Sequence, residues 1–357
     1  MNTNLPLVLV LTSLGLGTTF FYYSKTTNAI DTSPANRLYH PLCHGCNLLF
    51  LYAVANNGII CTCSTSKWVV VLQTKVRDQP QVRYYLLNHI SEIIYPRYLP
   101  SGARTEEGVP KPNQFGISDY DDLRISTPDG ETLAAYFVRA TDRRKTTKTT
   151  MLMFHGNAGN IGHRLPIARM LERHTDCDVL MLEYRGYGLS TGTPDENGLN
   201  IDAQAGLDWI RKNEETKKSN IVIYGQSLGG AVAISLVTKN IGTGDIAGLI
   251  LENTFLSIRK MIPNVFPPAK YLAPLCHQRW ASEEMIPLIK DIPVLFISGL
   301  KDEIVPPSHM KELFSLCRVN TKIWKEFSTG SHNETVAEAG YFACIADFVN
   351  HRILHPK

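Results

Sequence analysis

From about residue 120 the chain alternates short, β-favouring apolar runs with longer stretches of helix-compatible residues. Two of the runs, Leu123–Ser126 and Leu133–Val138, flank Thr127-Pro128-Asp129-Gly130, and the pattern predicts a β-hairpin. Further strands are predicted at Thr150–Phe154, Val179–Glu183, Ile221–Tyr224, Leu249–Leu251, Val294–Ser298 and Ile323–Phe327. Helices are predicted at Gly162–Arg173, Ile201–Asn213, Leu228–Lys239, Ser308–Leu316 and Glu334–His351. An antiparallel hairpin feeding alternating strands and helices implies an α/β fold, a largely parallel sheet with helices on both faces.

Upstream the pattern changes. Tyr95-Pro96-Arg97-Tyr98-Leu99-Pro100 breaks any helix, and Ser101–Phe115, rich in proline, glycine and charge, reads as an exposed connector. Leu5–Tyr23 carries no charge, and its nineteen residues just suffice to cross a hydrocarbon core as a helix. Phe20-Phe21-Tyr22-Tyr23 suits an interfacial edge. A cleaved signal peptide and a buried core helix are the rival readings, but no basic n-region precedes Leu5. The expected organisation is an uncleaved signal-anchor over residues 1–24, an ill-defined segment over 25–94 and one large domain over 95–357. In the middle segment, Leu48–Ala55 and Ile59-Ile60 flank Asn56-Asn57-Gly58, which fits a hairpin, a membrane-dipping loop or a second weak span. Cys43-x2-Cys46 and Cys61-x-Cys63 hint at zinc, but the apolar filling between the pairs argues against a compact knuckle, so no metal is expected.

Composition narrows the choice further. The 357 residues allow one large α/β domain plus extra segments, and a net charge of +3 with 19% charged residues gives no nucleic-acid footprint. Cys177, Cys276, Cys317 and Cys344 lack disulfide or metal spacing and read as buried free thiols.

The candidate chemistry lies in Ile221–Ala231, where a strand runs into Gly225-Gln226-Ser227-Leu228-Gly229 and then a small-residue helix. Glycines on either side of Ser227 leave room for a sharp turn, and the helix start directs N–H groups and partial positive charge at the serine. Gly188-Leu189-Ser190-Thr191-Gly192 has the same spacing without the strand–helix context, so Ser190 reads as a loop serine. A serine nucleophile needs a base, and the base an orienting acid, on loops after later strands in the order Ser, Asp/Glu, His. Asp302 follows the strand Val294–Ser298, and His332 follows Ile323–Phe327. Glu252 and Glu303 compete for the acid role; His309 and His351 fall on predicted helices, and His155 reads as shaping its loop. For the oxyanion, the backbone N–H of Leu228 and that of Asn157, with Ala158 next, are the expected donors.

These stretches together resemble the α/β-hydrolases, in particular the membrane-anchored fungal bud-emergence (Bem-type) hydrolases and similar animal α/β-hydrolase domain-containing proteins. The resemblance rests on His155-Gly-Asn-Ala-Gly-Asn-Ile-Gly-His-Arg164, Tyr184-Arg-Gly-Tyr-Gly-Leu-Ser190, Gly225-Gln-Ser-Leu-Gly-Gly230, Glu252-Asn-Thr-Phe255, Ser298-Gly-Leu-Lys-Asp302 and Gly330-Ser-His-Asn333. It implies an α/β-hydrolase fold, Ser227, Asp302 and His332 as a triad, and an N-terminal membrane anchor. It also implies that Tyr184–Ser190 is a structural loop near the site. Residues 26 to about 80 depart from the family pattern, as an insertion or a mispredicted exon boundary would.

Asn253–Asp291, long for a connection between strands, is apolar and stiffened by Pro263, Pro267, Pro268 and Pro274, which suits a lid. With a membrane anchor, such a lid favours lipid-like acyl esters or thioesters, and the expected location is the endoplasmic reticulum, another endomembrane or the plasma membrane. No cofactor and no nucleic-acid partner are expected. An acyltransferase using the same triad and a non-catalytic scaffold are the alternatives. The acceptor Asn333-Glu334-Thr335 adjoins His332, so active enzyme is expected to carry no glycan there.

Overall fold

The computed structural model describes residues 7–12, 61–64, 67–72, 94–141, 149–265, 273 and 276–354. The chain divides into two compact units, Met1–Asn88 and His89–Lys357. In the first, β1 (Leu7–Thr12) and β2 (Cys61–Ser64) each pair antiparallel with β3 (Lys67–Leu72). This corrects the expectation of a helix over Leu5–Tyr23 wherever that stretch is described. Val8, Val10 and Thr12 favour extended backbone, and β3 offers a complementary valine run to pair with. No helix among the described residues is long and apolar enough to cross a membrane. Residues 13–24, Cys43, Cys46 and the Asn56-Asn57-Gly58 turn lie outside the described residues.

The second unit holds eight strands: β4 (Tyr120–Ser126), β5 (Thr132–Val138), β6 (Thr149–Phe154), β7 (Asp178–Leu182), β8 (Asn220–Gln226), β9 (Ile246–Glu252), β10 (Val294–Gly299) and β11 (Lys322–Phe327). Their order is β11-β10-β9-β8-β6-β7-β5-β4; β6 to β11 run parallel, and the β4–β5 hairpin is antiparallel at one edge. Side chains alternate between two cores, as the pleat requires. Leu152 and Phe154 face α2 (Glu196–Lys212), α3 (Leu228–Lys239) and, after α4 (Ile258–Val265) and α5 (Ser282–Met285), α6 (Pro307–Leu316). Met151 and Met153 face α1 (Leu165–Thr175) and α7 (Tyr341–Phe348). Residues Leu228–Val237 of α3 are all buried, so this helix is packed on every side.

Two helices depart most from the expected bounds, while the one expected over Gly162–Arg173 begins as a 3₁₀ turn at Ile161–Arg164 and is α-helical over Leu165–Thr175. α2 starts five residues early because the Asp195 carboxylate caps it, accepting the Gly198 N–H at 2.6 Å. The helix expected over Glu334–His351 is split: a 3₁₀ turn at Thr335–Ala337, then Gly340 at φ +87°, then α7 and a π-helical end over Val349–Leu354. Only a residue without a Cβ adopts that φ cheaply.

The chain leaves β6 for β7 on one side and returns to β8 on the other. The loops after β6 and β8 therefore diverge and open a crevice at the carboxyl ends of the strands. Beside it, Arg185 in the loop after β7 ties the β4–β5 turn to α2. Its guanidinium meets Asp129 at 2.7 and 3.0 Å, and its Nε and backbone N–H meet the buried Asp202 at 2.9 and 2.8 Å. Burial pushes the Asp202 carboxyl up to about 6, against the lowering effect of Arg185, whereas exposed Asp129 is lowered to about 2 by its hydrogen bonds from Arg185. Breaking such a pair leaves a buried charge uncompensated. Since Arg185 keeps Asp129, Asp202→Ala is expected to destabilise by about 3 kcal/mol, read as a lowered denaturant midpoint at unchanged m.

Candidate active site

β8 ends at Gln226 and α3 begins at Leu228, so Ser227 alone makes the turn. Its φ of 54° and ψ of −117° are unusual for a residue with a Cβ. The turn is this tight because the flanking glycines let backbones touch. A Cβ on Gly225 would fall 2.2 Å from the Gly229 carbonyl oxygen, and one on Gly229 would fall 2.2 Å from that of Phe154. The Ser227 N–H donates to the Glu252 carbonyl at 2.9 Å, and the Thr254 hydroxyl donates to the Ser227 carbonyl at 2.7 Å.

The loops after β10 and β11 bring Asp302 and His332 to this serine. His332 Nε2 lies 3.0 Å from Ser227 Oγ, and its Nδ1 lies 2.8 Å from Asp302 Oδ2. With a carboxylate as partner, Nδ1 carries the proton, and the Nε2 lone pair faces the serine hydroxyl. Asp302 Oδ1 accepts the N–H groups of Ile304 and Val305 at 2.9 and 2.7 Å, which fixes the carboxylate. Both side chains are buried.

The competitors point elsewhere. Glu303 accepts the backbone N–H of His332 at 3.2 Å and supports the loop. Glu252 is wholly buried under the hydroxyls of Tyr224 and Tyr341, and burial pushes its carboxyl up. His155 Nδ1 meets the Gly156 carbonyl at 2.6 Å, and its Nε2 lies 2.9 Å from Glu183 without hydrogen-bond alignment. His309 faces Leu256 and Asn264, and burial lowers its pKa; His351 is exposed. Ser190 is buried in its loop, accepting the Ala134 N–H and donating to the Glu183 carbonyl.

Leu228 opens α3, so its N–H belongs to the first turn, which has no intrahelical acceptors. Asn157 is held by its side-chain amide on the Ile94 carbonyl at 3.1 Å and by Tyr187 donating to its own carbonyl at 3.0 Å. A Cβ on the adjacent Gly156 would lie 3.6 Å from Ser227 Cβ, so this loop runs alongside the serine. The arrangement can deprotonate a serine hydroxyl beside the N–H groups of a helix start. Sequence reasoning read Asn253 and Thr254 as the start of a lid and Thr335 as part of a glycosylation acceptor, and saw in none of them a residue that holds these loops.

If Asp302 orients the imidazole, Asp302→Asn lowers turnover by about 10⁴-fold through the wrong tautomer. Glu252→Gln, away from the imidazole, keeps turnover at the wild-type order of magnitude. Steady-state ester hydrolysis by the two variants checks both; the reverse ranking would move the acid role to Glu252.

The serine aminopeptidase S33 family matches residues 145–287. Among solved structures, an esterase of Pyrococcus furiosus aligns with a TM-score of 0.55 at 19% identity, over 68% of this chain and 94% of that one. An α/β hydrolase of Vibrio vulnificus aligns with a TM-score of 0.59 at 18% identity, over 75% and 92%. Both likenesses concern the fold. An uncharacterized membrane protein of Saccharomyces cerevisiae is 40% identical over 74% of this chain and 90% of its own length. The protein bem46 of Schizosaccharomyces pombe is 44% identical over 74% of this chain and 87% of its own length. Identity at that level over 74% of the chain means that this chain belongs to the Bem46-type family of α/β-hydrolases.

Proposed function

We propose that this protein is a membrane-associated serine hydrolase that cleaves acyl esters or thioesters of lipid-like substrates through an acyl-enzyme. The observation that carries the reading is the relay Ser227 Oγ to His332 Nε2 at 3.0 Å and His332 Nδ1 to Asp302 at 2.8 Å. Ser227 attacks the acyl carbon while its proton passes to Nε2. The oxyanion is met by the N–H groups of Leu228 and Asn157, and His332 then protonates the departing alcohol or thiol. Water, activated by the same imidazole, releases the acid.

The lipid-like class is supported by the segment that leaves β9. α4 lies within it, and Phe255, Leu256, Met261 and Trp280 are buried. Its far end is moored: Glu196 accepts the N–H groups of Arg279 and Trp280, and the Trp280 indole donates to the Tyr95 hydroxyl at 2.9 Å. A segment moored at both ends and apolar within suits a lid over an acyl chain. Membrane association is supported by the uncharged stretch Leu5–Tyr23 and by the description of the S. cerevisiae relative as a membrane protein.

A fluorophosphonate probe is expected to label the full-length protein, and Ser227→Ala to abolish labelling with the circular dichroism spectrum unchanged. Folded wild-type protein that takes no label would sink the reading. Across p-nitrophenyl esters of rising chain length, each methylene buried in the site contributes ~0.8 kcal/mol, about fourfold in kcat/KM. A flat series would exclude a lipid-like acyl group.

A further inference from the structure

Glu252, Asn253 and Thr254 follow one another at the end of β9. The first and third clamp the backbone of Ser227, through the Glu252 carbonyl and the Thr254 hydroxyl. Asn253, between them, turns the other way. It is 1% exposed and has a φ of 44°. Few residues other than glycine adopt positive φ, asparagine more readily than most, and the conformation persists where the surroundings over-determine it.

The Asn253 side chain spans two loops. Its carbonyl accepts the N–H of Gly299, the last residue of β10 and three before Asp302, at 2.8 Å. Its amide donates to the Thr335 hydroxyl at 3.0 Å and to the carbonyl of His332 itself at 3.2 Å, with the Ser331 carbonyl at 3.4 Å. Its own N–H donates to Ile297 at 3.1 Å. Thr335, fully buried, passes the contact on by donating to the Ser331 carbonyl at 2.6 Å.

Geometry says why such a tie is needed. In the sheet β11 and β8 are three strand spacings apart, roughly 14 Å, and His332 reaches back over that distance from its loop. We propose that Asn253, acting with Thr335, is a positioning residue that holds the His332 loop in register with Ser227 and Asp302. The inference rests on the reading of these three residues as a catalytic triad.

Asn253→Asp keeps the shape and the acceptor for Gly299 but removes the donor to the His332 loop. Thr335→Val removes the hydroxyl, and Thr335→Ser restores it. Full-length variants are titrated with the fluorophosphonate to count active sites, and kcat and KM are measured on a p-nitrophenyl ester per titrated site. A displaced imidazole is expected to lower kcat about 10²-fold in Asn253→Asp with KM little changed. A smaller loss is expected in Thr335→Val, with most of it recovered in Thr335→Ser. A purely structural role would lower the number of active sites and the melting temperature while leaving kcat per site at the wild-type value. That result in Asn253→Asp and Thr335→Val, with labelled wild type, overturns this inference alone. Wild-type protein that takes no probe overturns the serine-hydrolase reading and this inference together.

Discussion

One residue connects β8 to α3, and much of the site depends on that economy. With Ser227 making the turn alone, the start of α3 is pressed against β8 and β6, close enough that Gly225 and Gly229 have no room for a Cβ. The strained φ of Ser227 lifts its hydroxyl clear of the sheet and leaves the Leu228 N–H beside it. Such strain persists only when its surroundings over-determine it. Here the surroundings are a helix buried on every side and two hydrogen bonds from the end of β9.

The parallel sheet distributes the remaining parts. Five neighbouring strands, β11, β10, β9, β8 and β6, present their carboxyl ends together. In that order they carry His332, Asp302, Asn253, Ser227 and the Asn157 loop. Groups scattered over 175 residues of sequence thus become a row, with each neighbour one strand spacing away. The topological switch between β6 and β8 keeps one side of the row open.

Much of this was legible because strands in a parallel sheet are buried on both faces and read as continuous apolar runs. The five inner parallel strands β6 to β10 were visible that way, β4 and β5 showed as a hairpin around a turn, and the bounds Leu228–Lys239 of α3 coincide with the predicted ones. The Ser, Asp and His positions followed from chain order, and the structure brings them within hydrogen-bond reach. What stayed hidden depends on contacts between distant residues or on backbone sign. Asn253 looks like any polar residue at a strand end until its partners, nearly eighty residues away, are known. Gly340 is an ordinary helix glycine until its φ splits the last helix. At the N-terminus, Leu7–Thr12 fits an apolar helix or a valine-rich strand equally well by hydropathy, and the pairing with Lys67–Leu72 decides for the strand.

Thr335 has a consequence for how this chain can vary. Written in sequence, it completes a triplet that the glycosylation machinery reads before folding; in the folded protein, its hydroxyl is committed to Asn253 and Ser331. The two uses impose different constraints on the triplet. Asn333 is exposed and free to drift, whereas replacing Thr335 disturbs the interior. A lineage that must avoid a sugar beside His332 has its inexpensive escape at Asn333. The last letter of the triplet is set by packing, whatever becomes of the first.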